Sequence, residues 1–174
     1  MDLIKPFDPW GDPWCTCPPK LSLNPYTGCS HGCVYCYISS YIPDPFKSRP
    51  KEQLLRRVRR DLRKADLSIP ISLSNSSDPY PPEERGNRLM RGCLELLRAY
   101  GAKILIITKS DLVVRDVDLL QGMKCVVSFT ITTLDQHKKR IIEPRAPAPQ
   151  RRLDAIRELT ECGIPCTVRV DPLI

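Results

Sequence analysis

At 174 residues, 41% apolar and 27% charged, the chain has the size and composition of one globular domain that buries a core without disulfide staples. That balance excludes a disordered, fibrous or small disulfide-framework protein. The net charge of +7 and the nine cysteines are the two features that call for a specific explanation.

The first 19 residues, opening MDLIKPFDPWGDPW, are rich in Pro and Trp and read as an extended arm ahead of a domain over 20–174. They carry neither the basic start nor the continuous apolar stretch of a signal peptide, and Ile104-Leu105-Ile106-Ile107 is far too short to span a bilayer. The expectation is a cytoplasmic chain with no membrane partner. Its cysteines then stay reduced, as metal ligands, catalytic groups or small core residues.

Leu21-Ser22-Leu23 reads as a first strand, followed by a cysteine-rich loop and a basic helix over 50–65. A second strand is expected over 69–74 and a second helix over 83–100, with Gly101 as its C-terminal glycine. A strand over 103–108, a shorter helix over 113–120 and a strand over 125–132 come next. A helix over 150–162, stopped by Gly163 and Pro165, leads into a fifth strand at 166–170. Apolar strands alternating with helices predict an α/β fold: a parallel sheet with right-handed crossovers, open or curled into part of a barrel. Ligands in such folds gather at the carboxyl ends of the strands. Here those ends carry Ser74 to Asp78, Thr108-Lys109-Ser110, Ser128 and Thr130, and Arg169 and Asp171. The sequence stops at Pro172-Leu173-Ile174, directly after a strand, which reads as a C-terminally truncated domain.

Much of the positive charge lies between Lys47 and Lys64, where nine Lys and Arg face only Glu52 and Asp61. Leu54, Leu55, Val58 and Leu62 recur at helical spacing, so one side packs and the rest is a solvated basic face. Such a face also suits a polyanion, and nucleic acid remains open as a partner.

The chemistry is concentrated in Asn24 to Tyr37, where Cys29, Cys33 and Cys36 stand in a C-x-x-x-C-x-x-C spacing. Three thiolates on one loop can hold three irons of a four-iron cluster, leaving the fourth iron for a small molecule. Gly28 and Gly32 would let the backbone wrap closely around it. The spacing alone leaves zinc equally open, with His31, Cys15 or Cys17 as fourth ligand. A catalytic cysteine with His31 as base, or three cysteines lining a helix, fits less well. Two glycines and a proline disfavour a helix here, and a nucleophile does not need three thiols.

The loop resembles the radical S-adenosylmethionine superfamily, whose signature is this spacing with an aromatic residue, here Tyr35, before the last cysteine. More narrowly, the chain is similar to the spore photoproduct lyase-related branch, often labelled DNA repair photolyase-like. The similarity runs through Ser77-Asp78-Pro79-Tyr80, Thr108-Lys109-Ser110, Val127 to Thr130, Glu143 to Pro147, and Gly163-Ile164-Pro165. The resemblance implies a partial (βα) barrel with about five units visible of about six. It implies a [4Fe-4S] cluster on Cys29, Cys33 and Cys36 and S-adenosyl-L-methionine on its open iron. Tyr35 would then lie beside the adenine, while Ser77, Lys109 and Ser128 would contact the cofactor. It further implies a flavodoxin- or ferredoxin-type electron donor and a 5′-deoxyadenosyl radical that takes hydrogen from a substrate. The resemblance also implies a cysteine hydrogen donor at the position where this chain has Ser76, whose O–H bond is too strong for that role. This departure argues against thymine-dimer repair and leaves the substrate open, alongside a zinc-stabilised nucleic-acid-binding module and a truncated non-catalytic relative.

Of the remaining cysteines, Cys93, Cys125, Cys162 and Cys166 are expected as small core residues, and Cys15 and Cys17 as structural or free. Glu143 and Arg145 are open to pairing with each other or with the cofactor and equally to stabilising a loop, and His137 reads as exposed.

Overall fold

The computed structural model describes residues 2–7, 18–73 and 75–173, so Cys15, Cys17 and Ser74 lie outside the described residues. In chain order it has β1 (Lys5–Pro6), β2 (Leu21–Leu23), β3 (Tyr26–Thr27), β4 (Arg49–Pro50), α1 (Leu54–Leu62), β5 (Ile71–Leu73), α2 (Glu84–Asn87) and α3 (Leu89–Ala99). There follow β6 (Ile104–Thr108), α4 (Val117–Leu120), β7 (Cys125–Thr130), α5 (Gln136–Ile142), α6 (Pro149–Glu161) and β8 (Cys166–Arg169). The main sheet runs β1-β2-β5-β6-β7-β8, and every neighbouring pair is parallel except β1 with β2. The five parallel strands are those expected from the sequence, in the partial (βα) barrel arrangement.

Alternation along the strands divides the sheet into two unlike faces. Leu21, Leu23, Ile71, Leu73, Ile104, Ile106, Val127 and Phe129 turn toward the helices and form one core with Val58 and Leu62 of α1, Leu94 and Leu97 of α3 and Leu159 of α6. The register aligns Ser22, Ser72, Leu105 and Val126 on the other face, and further along Ile107, Ser128 and Thr167. Three serines among these seven mark that face as the one prepared for polar contacts. Cys93 and Cys125 belong to the core, and Cys162 and Cys166 pack against it, as expected for small hydrophobes. At the far edge, Val168 and Val170 are more than half exposed.

The first helix is shorter than expected, and Leu55 is 38% exposed rather than buried. It rests on α3 where Gly92 leaves room: a Cβ there would stand 2.8 Å from Leu55 Cδ1. The single helix expected over 83–100 is two. Arg88 adopts φ 51°, and the chain restarts as α3. Gly86 and Asn87 are poor helix formers, and a tertiary contact makes the break worthwhile. Glu84, fully buried, turns its carboxylate onto the N–H groups of Leu89 and Met90, at 3.0 and 3.1 Å, capping α3. The same carboxylate accepts from Tyr26 Oη at 2.5 Å and pairs with Arg115 at 2.8 Å. The short helix α5 was not expected; Asp135 caps it by accepting from His137 and Lys138 N–H at 2.8 and 3.1 Å.

Replacing Glu84 with Ala removes one of the two carboxylates that hold the partly buried Arg115 guanidinium, leaving Asp116, and uncaps α3 at once. The expected cost is about 2–4 kcal/mol in urea unfolding; a loss under about 1 kcal/mol would contradict this account of the break.

Candidate metal centre

The cysteine loop leaves β3 and is pinned at its base by the β3–β4 ribbon, in which Tyr26 pairs with Pro50 and Thr27 with Arg49. Its turns require two glycines. Gly28 sits at φ 74°, and a Cβ there would meet Lys47 O at 2.3 Å; Gly32 sits at φ 65°, and a Cβ there would meet Arg145 Nη2 at 2.7 Å. Cys29 N–H donates to Pro45 O at 2.7 Å and Val34 N–H to Ile142 O at 3.0 Å. The unexpected helix α5 therefore supplies one wall of the loop. Within the loop, Ser30 Oγ donates to Glu83 at 2.6 Å and lies 3.0 Å from Ser48 Oγ.

Two carboxylates clamp the loop from opposite sides. Asp78, beyond the end of β5, accepts from Thr108 Oγ1, Lys109 N–H and Tyr80 N–H at 2.7, 2.7 and 2.9 Å. His31 Nε2 lies 3.3 Å from the same carboxylate, buried. The approach is close but off-line, so neither ring nitrogen completes a well-formed hydrogen bond. His31, which the sequence leaves open as a fourth zinc ligand or a base, faces Asp78. Burial alone would raise the Asp78 pKa; the His31 ring and the donors reverse that and hold it at about 2.

On the other side, Tyr35 donates to Glu143, which also accepts from Thr132 and pairs with Arg152. Arg152 is wholly buried and donates in addition to Thr130 O at 2.9 Å and Pro147 O at 2.8 Å. Burial pushes the Glu143 pKa up, but Arg152 and Tyr35 outweigh it and the net shift is downward. Of the roles open to Glu143 and Arg145, the structure shows loop stabilisation rather than a pair between them. Arg145 packs instead against Gly32, its N–H donating to His31 O at 3.2 Å.

The candidate cofactor residues surround this loop. Lys109 Nζ stands 5.7 Å from the Tyr35 ring centroid. Ser77, buried, donates through Oγ to Tyr26 O at 2.9 Å. Ser128 is buried in β7 on the uncovered face, paired in register with Ile107. Asn24 Oδ1 accepts from Asn75 N–H at 2.9 Å, and Tyr37 Oη donates to Asn75 O at 2.5 Å, tying the loop after β5 to the cysteine loop. Asn24 and Asp78 lie within the cysteine-loop and strand-end segments that the sequence marks as groups, without a role of their own, and Arg152 lies in neither.

Among the described residues, no three Cys, His, Asp or Glu side chains already stand at metal-binding geometry. The three thiols are nonetheless neighbours: Cys33 adds repulsion to a charged Cys29, and Cys36 to a charged Cys33. Burial pushes the Cys29 thiol up to about 12 and the Cys33 thiol up to about 11, the latter against the pull of Lys109. Thiolates are the metal-binding form. Three neighbouring thiols on a glycine-hinged loop, Cys33 buried and Cys29 and Cys36 half-buried, are a donor set whose combined negative charge a bound cationic centre would offset. The residues present therefore fit an iron–sulfur group.

The chain matches the Radical SAM superfamily over residues 23–173, and it belongs to that family. Curated relatives include an uncharacterized protein of Methanocaldococcus jannaschii, 29% identical over 98% of this chain and 65% of the relative. Another is an uncharacterized protein of Acidianus two-tailed virus, 31% identical over 87% of this chain and 55% of its own length. Among solved structures, a spore photoproduct lyase complexed with dinucleoside spore photoproduct superposes with a TM-score of 0.69 at 17% identity, covering 88% of this chain and 46% of that one. Streptococcus suis SuiB bound to precursor peptide SuiA gives 0.67 at 18% identity, covering 86% and 32%. The chain thus spans a third to two thirds of the length of these proteins.

The clamp predicts an acid limb. Because the folded Asp78 pKa is depressed, its contribution to stability is complete above the unfolded value near 3.8 and is lost as pH falls toward about 2. Asp78→Asn should lower stability by about 2 kcal/mol at pH 7 and flatten the difference from the wild type across that window. Parallel acid limbs for the two proteins would count against the clamp.

Proposed function

We propose that the chain holds a [4Fe-4S] cluster on Cys29, Cys33 and Cys36 and binds S-adenosyl-L-methionine beside it as a radical enzyme. The observation that carries this reading is the three-thiol loop itself, clamped by Asp78 and Glu143 at the carboxyl ends of the parallel strands. A bound, reduced cluster supplies the electron that breaks the sulfonium C–S bond, giving methionine and a 5′-deoxyadenosyl radical.

The roles of the chain's own residues follow from their hydrogen-bond capacity. Lys109, with three donors and its backbone N–H anchored on Asp78, suits the methionine carboxylate. Ser77 spends its proton on Tyr26 O, so it presents lone pairs to a ligand and suits the methionine ammonium. Ser128 offers a hydroxyl from the uncovered face of the sheet, and Tyr35, held by Glu143, offers a ring edge to the adenine. A flavodoxin- or ferredoxin-type donor would supply the electron.

The substrate is a separate question. The lyase in the comparison carries a dinucleoside lesion, and a nucleic-acid substrate is one reading for this chain. By the resemblance, Ser76 falls where spore photoproduct lyases carry a cysteine hydrogen donor, and Cys93 is fully buried in the helix-covered core, where it cannot replace a thiol at the site. Hydrogen return through a cysteine, and with it thymine-dimer repair, is not part of the proposal.

Anaerobic reconstitution with iron and sulfide should give a reduced four-iron electron paramagnetic resonance signal that changes on adding S-adenosylmethionine and is absent in Cys33→Ala. Lys109→Gln should keep the cluster but weaken cofactor binding about 10- to 100-fold, as loss of one charge-assisted contact implies. One tightly held zinc with no such signal would overturn the reading.

A further inference from the structure

The solvent side of α1 is built differently from an ordinary surface helix. Arg56, Arg59, Arg60 and Arg63 stand at i, i+3, i+4 and i+7, so they share one face, and all four are exposed. Leu54, Val58, Asp61 and Leu62 take the buried face. The only acid within the helix is therefore turned inward, where Asp61 accepts from Leu3 and Ile4 N–H at 2.6 and 3.2 Å. Arg60 is partly engaged, with Asp61 and Asp2 at 2.7 and 2.8 Å.

The longest helix of the fold shows the contrast. Along α6, Arg152 is buried and the exposed charged residues are of both signs, Arg151 and Arg157 against Asp154, Glu158 and Glu161, with Arg157 pairing with Asp154 at i, i+3. A face that only had to stay soluble would look like α6. The arginines of α1 border a cleft of about 460 Å³, with Gln53 at its head. The positive field extends toward the sheet edge: burial, then the nearby cations Lys5 and Arg57, lower the pKa of Lys51.

We propose that the arginine stripe of α1 is a docking surface for the phosphate backbone of a nucleic acid, separate from the cysteine loop. The spacing suits it, since four guanidinium groups spread over about 10 Å of helix can meet two or more successive phosphates. The residue type suits it as well. A guanidinium fork pairs with phosphate oxygens in a bidentate way, and lysine does not. Among the described residues that line the cleft none is aromatic. The arginines address the phosphate backbone, and binding through them is independent of sequence. The inference does not rest on the radical reading, because the surface needs neither cluster nor cofactor.

The test uses the purified 174-residue chain without cluster loading and a fluorescein-labelled 20-base-pair duplex, with anisotropy read across a salt series. Arg56→Gln/Arg59→Gln/Arg63→Gln spares Arg60, which is tied to Asp61. It should weaken binding at least ten-fold near 0.1 M salt and lower the slope of log K against log salt by about 3. A triple-lysine variant at the same positions should keep most of the slope. Removing three exposed cations elsewhere, as Lys124→Gln/Lys138→Gln/Arg157→Gln, should have little effect. Should the triple glutamine variant fold poorly, Arg63→Gln alone should still lower the slope by about 1. An unchanged slope in these variants would overturn the proposal. So would an equal loss in the control triple, or a loss confined to binding of an acidic protein such as a reduced flavodoxin. A failure to load iron would bear on the cysteine loop and leave this result untouched.

Discussion

One carboxylate organises the metal end of this molecule. Asp78 gathers the N–H of Lys109, the hydroxyl of Thr108, the N–H of its own turn at Tyr80 and the ring of His31. These groups come from the β5 turn, the end of β6 and the cysteine loop, which no local interaction would bring together. A buried charge of this kind costs several kcal/mol in desolvation unless its lone pairs are filled, and here they are. The sharing is geometric as well as energetic. Holding Lys109 and His31 on one carboxylate sets the distance between a strand end and a loop that otherwise has no regular structure.

Glu143 does the same from the other side, with the loop's Tyr35, β7's neighbour Thr132 and α6's Arg152 as its partners. Buried ion pairs are poor sources of net stability compared with apolar packing. Their value here is that Arg152, fully enclosed and also fixed on Thr130 O and Pro147 O, admits very few alternative arrangements. The thiols are left as the uncompensated part. Burial raises Cys29 and Cys33 well above a surface thiol, and Lys109 offsets this only in part at Cys33. A loop so firmly held around groups so unfavourable to ionise is a site prepared for a ligand.

The fold was legible where burial dictated sequence. The β-branched centre of β6 and the apolar run of β7 are covered by helices, and their patterns carried through to the parallel sheet. Legibility failed where tertiary contacts overrode local pattern. Nothing in the residues around Arg88 announces that Glu84 will cap a new helix, so an apparent single helix became two. Helix α5, with five polar or basic residues in seven, has no apolar period to detect, although Asp135 is a cap signal. The three cysteines and their glycines were plain from spacing. Asp78 and Arg152 were not, because their importance comes from partners 47 and 9 residues away, His31 and Glu143. Adjacency left open whether Glu143 and Arg145 pair or stabilise a loop, and long-range contacts decide it: Arg145 backs Gly32 in the cysteine loop, and Arg152 reaches Glu143 from a helix.

Fold and substrate are decided at different places in this architecture. The lyase and the peptide-bound protein share the chain's fold at nearly equal TM-scores, yet one carries a dinucleoside and the other a peptide. The elements they hold in common therefore cannot select between such partners. In this chain the two clamps, the cysteine loop and the strand-end residues all lie between Asn24 and Arg152, inside the shared region. What distinguishes the chain has to be sought on surfaces that the fold leaves free to vary. The outward face of α1 is such a surface: its inner residues are fixed by packing, while its outer ones could have been of either sign, and they are arginine.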